Sequence, residues 1–467
     1  MHHNENLATL FKISLPILLI NICAILLLSS CMISAKYAPK PNPEIPKKWN
    51  AKNTNLNTNN CNTICIPWWK KFDDPVLNDL IQKGLQCNND IHTAVANVEA
   101  AQGELKRVKY NWIPGLDSLL GYSSFPYLGY PGSIALLIPT YTINVFKQIK
   151  EQQNAKHELA VTKNMRDTVR LAVVAQIAGS YFQYQAQVER LILLKNIEAD
   201  LSKKVNIYQA TYQTGLTSDI ELVRAKNKLE LIKSEEKVIE QNIVVAQNML
   251  RYLINENPKE FKFPTKFSDL NPHQEIIGSL PFNIIENRPD MQKATNELKA
   301  ANAKVGIAAY SFLPTIQLSA ARGDIGIVPY STTLGTNVYF NQALFQTSLI
   351  KLSLFGEFEK SHGVAKAYYA KYLDTFRKVL RDINNDLSAN ELYTERLDHT
   401  INAQNDLIKN YSLHSSLYNE GIISALKLLN EKIKLDEVKI TLNEHKTEQL
   451  ITIVNLYQDL AVGYGCT

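Results

Sequence analysis

The chain has 467 residues, enough for a large core or several domains, and its formal net charge of +5 is small for that length. Its 50 lysines and arginines are interspersed with 45 acidic residues and form no long basic run, which argues against a nucleic-acid partner. Glycine and proline are sparse at 18 each, while 22 tyrosines point to wet, partly buried surfaces or a membrane interface.

Ile13 to Leu28 is an almost unbroken apolar run preceded by Lys12 and interrupted by Pro16 and Asn21. It has the length of a signal-peptide core and is slightly short for a spanning helix. The run ends in Leu28-Ser29-Ser30-Cys31, which resembles a bacterial lipobox: a branched apolar residue, two small ones and a thiol to take diacylglycerol. The expectation is loss of residues 1–30 as signal peptide and lipidation of Cys31, palmitate included. An ordinary transmembrane anchor is the alternative. Met32 follows, where an aspartate favours inner-membrane retention in Gram-negative lipoproteins, so the outer membrane is expected. Acyl chains contribute about 0.8 kcal/mol per buried methylene, which tethers a chain but does not span a bilayer.

Residues 31–67 read as a lipidated linker, with Pro39, Pro41, Pro43 and Pro46 followed by an asparagine- and threonine-rich run. Cys61 and Cys65 are spaced C-x3-C; a local disulfide and two free thiols are both open, and Cys87 and Cys466 have no evident partner. No histidine pair accompanies them, so no metal site is expected. No cofactor other than the lipid on Cys31 is expected either.

From here the chain repeats itself. Asn89-Asp90-Ile91 and Ala94 are echoed by Pro289-Asp290-Met291 and Ala294, Ala100-Ala101 by Ala300-Ala301, and Trp112-Ile113-Pro114 by Phe312-Leu313-Pro314. The boundaries read as a first repeat over 68–270 and a second over 271–467. Each opens with a predicted helix, 88–111 and 288–311, closed by a proline that cannot continue it. Each proline starts a stretch of period two. Tyr141, Ile143 and Val145 alternate with Thr140, Thr142 and Asn144; Ile316, Leu318 and Ala320 with Gln317, Ser319 and Ala321; Ile350, Leu352 and Leu354 with Lys351 and Ser353. Such strands suit either a membrane barrel or a half-buried soluble sheet.

Long helices follow, predicted over 147–214 and 357–419, each some 65 residues and therefore about 100 Å. Gly215 and Gly421, in Tyr212-Gln213-Thr214-Gly215 and Tyr418-Asn419-Glu420-Gly421, suit the turn into an antiparallel partner helix. After Gly215, Leu222, Ala225, Leu229, Ile232, Ile239, Ile243, Ala246, Leu250 and Leu253 make a coiled-coil seam with Glu236 at its polar step. After Gly421 the same frame is poorer: Leu428, Leu435, Val438, Leu442 and Leu456 are joined by Glu431, His445, Gln449 and Thr452. A wet seam, a face for another chain and a shift of frame are the open readings.

No P-loop, His-Glu-x-x-His, Gly-x-Ser-x-Gly or dinucleotide fingerprint is present, so no catalytic residues and no enzyme activity are expected. Gly121-Tyr122-Ser123-Ser124 lacks the second glycine, and Asp73-Asp74 suits the cap of a helix starting at Pro75 better than chemistry.

This order of elements, duplicated behind a lipobox, resembles the TolC family of outer-membrane efflux ducts, and most closely its lipoprotein branch, the OprM- and NodT-like channels. The segments that carry it are Trp68-Trp69-Lys70-Lys71-Phe72-Asp73-Asp74-Pro75-Val76-Leu77, Asn89-Asp90-Ile91, Arg288-Pro289-Asp290-Met291, Ala300-Ala301-Asn302-Ala303, Phe312-Leu313-Pro314 and Val454-Asn455-Leu456-Tyr457-Gln458-Asp459-Leu460. The resemblance implies a mainly α fold with a transmembrane β part: a long coiled-coil barrel, plus four strands per protomer of a trimeric 12-stranded outer-membrane barrel. It implies a passive homotrimeric duct of a tripartite efflux or secretion system, working with a periplasmic adaptor and an inner-membrane pump, for drugs, metals or other substrates. It also implies a periplasmic gate near Lys427, Asn430, Glu431 and Ile433. Asn430 stands where an aspartate is usual and Ile433 where an arginine occurs, which weakens the expectation of a salt-bridge lock. The rival reading is a periplasmic coiled-coil structural lipoprotein without channel activity.

Overall fold

A computed structural model describes residues 67–127, 130–259, 266–271, 285, 287–327, 334–346 and 351–463. The lipobox with Cys31, the linker, Cys61, Cys65 and Cys466 lie outside the described residues.

A 3-10 turn, Trp68–Phe72, leads into α1 (Pro75–Cys87) and α2 (Asn89–Tyr110), then β1 (Gly115–Tyr127), β2 (Tyr130–Ile143), α3 (Val145–Gln213) and α4 (Asp219–Leu253). The second half repeats the order with α5 (Pro289–Tyr310), β3 (Thr315–Ile327), β4 (Leu334–Gln346), α6 (Ser353–Asn419) and α7 (Ala425–Asp459). Among the described residues no helix is long and apolar enough to cross a membrane.

Local chemistry sets the helix starts. Asp74 accepts from the Val76 and Leu77 amides at 2.8 and 3.2 Å and so caps α1 ahead of Pro75, as its sequence context suggests. Asn88 caps α2 in the same way, accepting from the Asp90 and Ile91 amides at 2.9 and 3.2 Å. Asn144 caps α3 through the Lys147 amide at 3.1 Å. The strand therefore stops at Ile143, and Val145, predicted to continue the alternation, begins a helix.

The four strands form one antiparallel sheet in the order β1-β2-β3-β4. The fourth strand is Leu334–Gln346, not the alternating stretch at 350–354. There the Leu354 and Phe355 amides donate to the carbonyls of Lys351 and Leu352, closing the turn that opens α6, so Leu354 is helical. In register, Tyr141 faces Leu318 and Leu318 faces Ala343, while Ile143 faces Ile316 and Ile316 faces Phe345. One face thus carries Leu116, Leu120, Tyr122, Leu137, Ile316, Leu318 and Phe345, all exposed to solvent.

The chain divides into two compact units, and neither follows the repeat boundary. The first takes Asn97–Lys163 and Lys293–Asp374, with the whole sheet; the second takes Asn164–Gln292 and Thr375–Thr467 together with the opening motif. Within the second unit, α4 buries Leu222, Ala225, Ile239, Ala246, Leu250 and Leu253, the predicted seam, with Glu236 buried among them. Burial pushes the Glu236 carboxyl up, and neighbouring Glu198 pushes it further the same way.

The second seam resolves into two. On the predicted frame of α7, Gln449 donates to Asn390 and Thr394 of α6 at 2.9 Å each, and His445 meets Thr400 at 2.8 Å. A shifted frame, Ile433, Asp436, Asn443, Thr447, Leu450, Val454 and Tyr457, is buried too. On it Ile433 packs against Ile197 and Leu201 of α3, with Leu229 and Ile232 of α4 beside them. A helix covered on two sides needs two stripes, which is why a single-frame reading finds it poor.

Candidate functional site

The two hairpin ends are built alike. Gly215 and Gly421 take φ of 74° and 75°, a left-handed conformation that a side chain resists. Gly215 N donates to Tyr212 O and Leu216 N to Thr211 O, both at 2.9 Å; Gly421 N to Tyr418 O and Ile422 N to Leu417 O repeat the pattern at 3.0 and 2.9 Å. This paired closure satisfies the last carbonyls of α3 and α6. Ser424 then accepts from the Lys427 amide at 3.3 Å and starts α7. Leu216, Ile220 and Ile422 stand exposed at these ends.

Just inside the second turn lie the four gate candidates, each doing something different. Lys427 reaches Glu431 at 3.2 Å, and Lys434 reaches the same carboxylate at 3.1 Å. Burial opposes ionisation of Glu431, but the hydrogen bonds from Lys434 and Lys427 prevail and hold its carboxyl below the ordinary range. Asn430 accepts from Lys204 of α3 at 2.8 Å. Ile433 is 5% exposed, inside the apolar cluster with Ile197 and Leu201.

A neighbouring group was not legible in advance. Asp200 of α3 is 1% exposed and takes Lys432 of α7 at 2.6 Å and Lys203 at 3.0 Å. Asp200 raises the Lys432 ammonium above its usual range. A burial-and-charge link between the two halves therefore sits one residue from Glu431. Its only sequence signal is an acid at a core-facing position of α3, which no periodicity argument isolates from solvated neighbours.

Farther along α7, Arg288 forks onto Asp290 at 2.8 and 3.0 Å and reaches the Asp459 carboxylate at 3.8 Å. Asp386 shares a hydrogen bond with Asp459, and burial with that contact pushes its carboxyl up to about 7. Burial pushes Asp459 up as well, against the Arg288 charge. Two carboxyls with one proton between them satisfy each other; two carboxylates would repel.

Gly121-Tyr122-Ser123-Ser124 lies within β1, a strand with no turn to present a nucleophile. Cys87 is a free, exposed thiol. Among the described residues no cluster of three metal-ligating side chains occurs.

The family model for the outer membrane efflux protein matches residues 80–256 and again 280–462. The chain belongs to the outer membrane efflux protein family. The toluene efflux pump outer membrane protein TtgC of Pseudomonas putida is 25% identical over 422 residues, covering 85% of each chain. Nodulation protein T of Rhizobium leguminosarum bv. trifolii is 24% identical over 474 residues, covering 94% of this chain and 96% of the relative. The open state of the Neisseria gonorrhoeae MtrE outer membrane channel superposes with a TM-score of 0.78 at 19% identity, over 93% of this chain and 99% of that one. The resemblance to TolC-like channels drawn from the sequence holds, and with it the mainly α fold carrying a transmembrane β part. This outer-membrane efflux channel comes from a family of channels, not enzymes, in which no cofactor is expected.

Proposed function

We propose that three copies of this chain form a passive duct across the outer membrane and periplasm, anchored by lipid on Cys31 and joined through a periplasmic adaptor to an inner-membrane pump. The observation that carries the reading is the open sheet. Its order β1-β2-β3-β4 leaves β1 and β4 as edges while one face exposes Leu116, Leu120, Leu137 and Phe345. Apolar faces want lipid, and open edges are not tolerated there, so further copies must close the sheet. Three sheets of four strands make an even-numbered barrel of ordinary size.

In this reading residues 68–270 and 271–467 are the two repeats, so a trimer has six staves. Small organic molecules of the kind named for the Pseudomonas relatives are the cargo class, with the pump doing most of the selecting. The gate is assigned to the region of Lys427, Asn430 and Glu431, where polar contacts join α7 to α3 beside the turns at Gly215 and Gly421.

Membrane extracts of the full chain, run unheated and heated and then reconstituted in planar bilayers, test the duct. A trimer-sized band that collapses on boiling, together with single-channel conductance, is expected. A monomer with no conductance under any gating condition would instead leave a coiled-coil structural lipoprotein. Electrophoretic and mass shifts on Cys31→Ser test the lipid anchor separately.

A further inference from the structure

We infer that α4 carries a second coiled-coil seam, on the side away from the one buried in its own chain, and that a second copy of this chain fills it. Leu231, Val238 and Val245 of one copy lie along the groove between α6 and α7 of its neighbour. The inference rests on the duct reading and names the helical contact through which the copies close.

The stripe is set by the sequence of α4. Leu231, Val238, Val245 and Tyr252 recur every seven residues, and Asn227, Ser234, Gln241 and Asn248 interleave with them at steps of four and three. That is a coiled-coil frame about 38 Å long, with one apolar row and one row of uncharged polar side chains. The apolar row is 63, 57, 56 and 62% exposed, while Leu222, Ala225, Ile239, Ala246 and Leu250 are buried on the other side of the helix. Single exposed apolar residues are ordinary on a protein surface, but four in one register are not. A solvated face would mix charges among them. Instead Lys226, Glu230, Lys233, Lys237 and Glu240 all fall outside both rows. A helix with two opposed stripes suits two neighbours, and its own chain leaves the second stripe of α4 bare.

The second half of the chain offers the complement. A groove between α6 and α7 is lined by Leu392, Arg396, His399 and Ala403 of the first helix and Val438 and Thr441 of the second. Ion pairs fix the heights. Lys228 of α4 reaches Glu437 of α7 at 2.7 Å, a separation of 209 positions, and Arg190 joins Glu235 of α4 to Glu444 of α7 at the same separation. Between α6 and α7, Thr400 meets His445 at 2.8 Å and Arg396 meets Glu448 at 2.6 Å. Leu231 is therefore level with Val438, Thr441 and Ala403, Val238 with Arg396 and His399, and Val245 with Leu392. Rotation about the duct axis carries a helix sideways without changing its height, so stripe and groove of adjacent copies meet in this register. Such a contact joins two different surfaces and closes into a ring of three. The polar row then fixes the register at some cost in stability, as polar side chains at coiled-coil seams do.

The test is disulfide trapping in membranes of the full-length chain, with Cys61, Cys65, Cys87 and Cys466 changed to serine and copper phenanthroline as oxidant. The matched pairs are Leu231→Cys with Ala403→Cys, Val238→Cys with His399→Cys, and Val245→Cys with Leu392→Cys. They should link into covalent dimers and trimers about tenfold faster than the mismatched pair Leu231→Cys with Leu392→Cys, whose partners lie roughly 18 Å apart in height. Val238→Asp, on a face its own chain leaves bare, should keep the helix content and shorten the half-life of the heat-resistant trimer about tenfold. Matched pairs that stay unlinked in a heat-resistant trimer, or that link no faster than the mismatched pair, overturn the seam and leave the duct standing. Val238→Cys joined instead to a protein of another mass also overturns it, because the stripe then belongs to a different partner. Absence of any heat-resistant trimer before the substitutions are made removes the duct reading and the seam with it.

Discussion

Trp68, at the start of the described chain, and Tyr457, near its end, stack with ring centroids 5.0 Å apart and planes 9° from parallel. Trp68 also meets Trp69 and Phe72 edge-on, and Lys71 donates to the Tyr457 hydroxyl at 3.3 Å. The opening and closing motifs are thus one packing unit. Both rings are almost fully buried, so Trp68→Ala or Tyr457→Ala should destabilise the second unit by about 3–5 kcal/mol. Tyr457→Phe keeps the stack and should cost about 1 kcal/mol. Urea unfolding followed by tryptophan fluorescence measures both, and a Trp68/Tyr457 double-mutant cycle with no coupling would contradict the shared stack.

The Asp386–Asp459 pair predicts an unusual pH slope. A carboxyl raised to about 7 binds its proton more tightly folded than unfolded, where its ordinary value is 3.8. Its favourable contribution is therefore complete below pH 4 and is lost as pH rises toward 7. After discounting for partial solvent access, Asp386→Asn should flatten the stability profile between pH 4 and 7 by about 1–2 kcal/mol. Thermal unfolding in a pH series reads this directly; parallel wild-type and variant profiles would exclude the shared proton.

How far the sequence reaches is clear from where it stops. The repeat, the prolines at 114 and 314, the glycines at 215 and 421 and the seam after Gly215 act locally: each determines an element within a few residues of itself. The end of β2, the register of β4 and the second stripe of α7 depend on what packs against them. Asn144 ends a strand by capping a helix, and α7 hides its period because it answers to α6 and to α3 together. The proposed gate region shows the same limit. Lys427, Asn430 and Glu431 are reached through the family resemblance, but Asp200 matters only because the fold buries it beside Lys432.

That contrast makes a graded prediction. Lys427→Ala leaves Glu431 its contact with Lys434, so leak conductance should change little. Lys432→Ala leaves the buried Asp200 carboxylate with Lys203 alone, and losing one partner of a buried charge costs about 3 kcal/mol or more. The leak of Lys432→Ala channels should therefore exceed that of Lys427→Ala severalfold, with Asn430→Ala, which removes the acceptor that Lys204 reaches on α7, between them. Bilayer recordings of the three variants rank them; equal closure in all would remove the α3–α7 contacts from gating.

The turn glycines separate backbone strain from packing. At Gly215 and Gly421 an added Cβ would meet nothing within 4 Å, so the whole penalty of alanine lies in the positive φ. That penalty is about 1–2 kcal/mol per residue, and it falls on the last turn of α3 or α6 and the first of α4 or α7, not on the core. Gly215→Ala and Gly421→Ala should each speed hydrogen exchange of the amides at 215–216 or 421–422 by about tenfold while leaving the melting temperature of the unit nearly unchanged. Gly215→Asn should recover part of the loss, because asparagine tolerates the left-handed region better than alanine. Equal protection in the alanine and asparagine variants would mean that the closure does not depend on the left-handed residue.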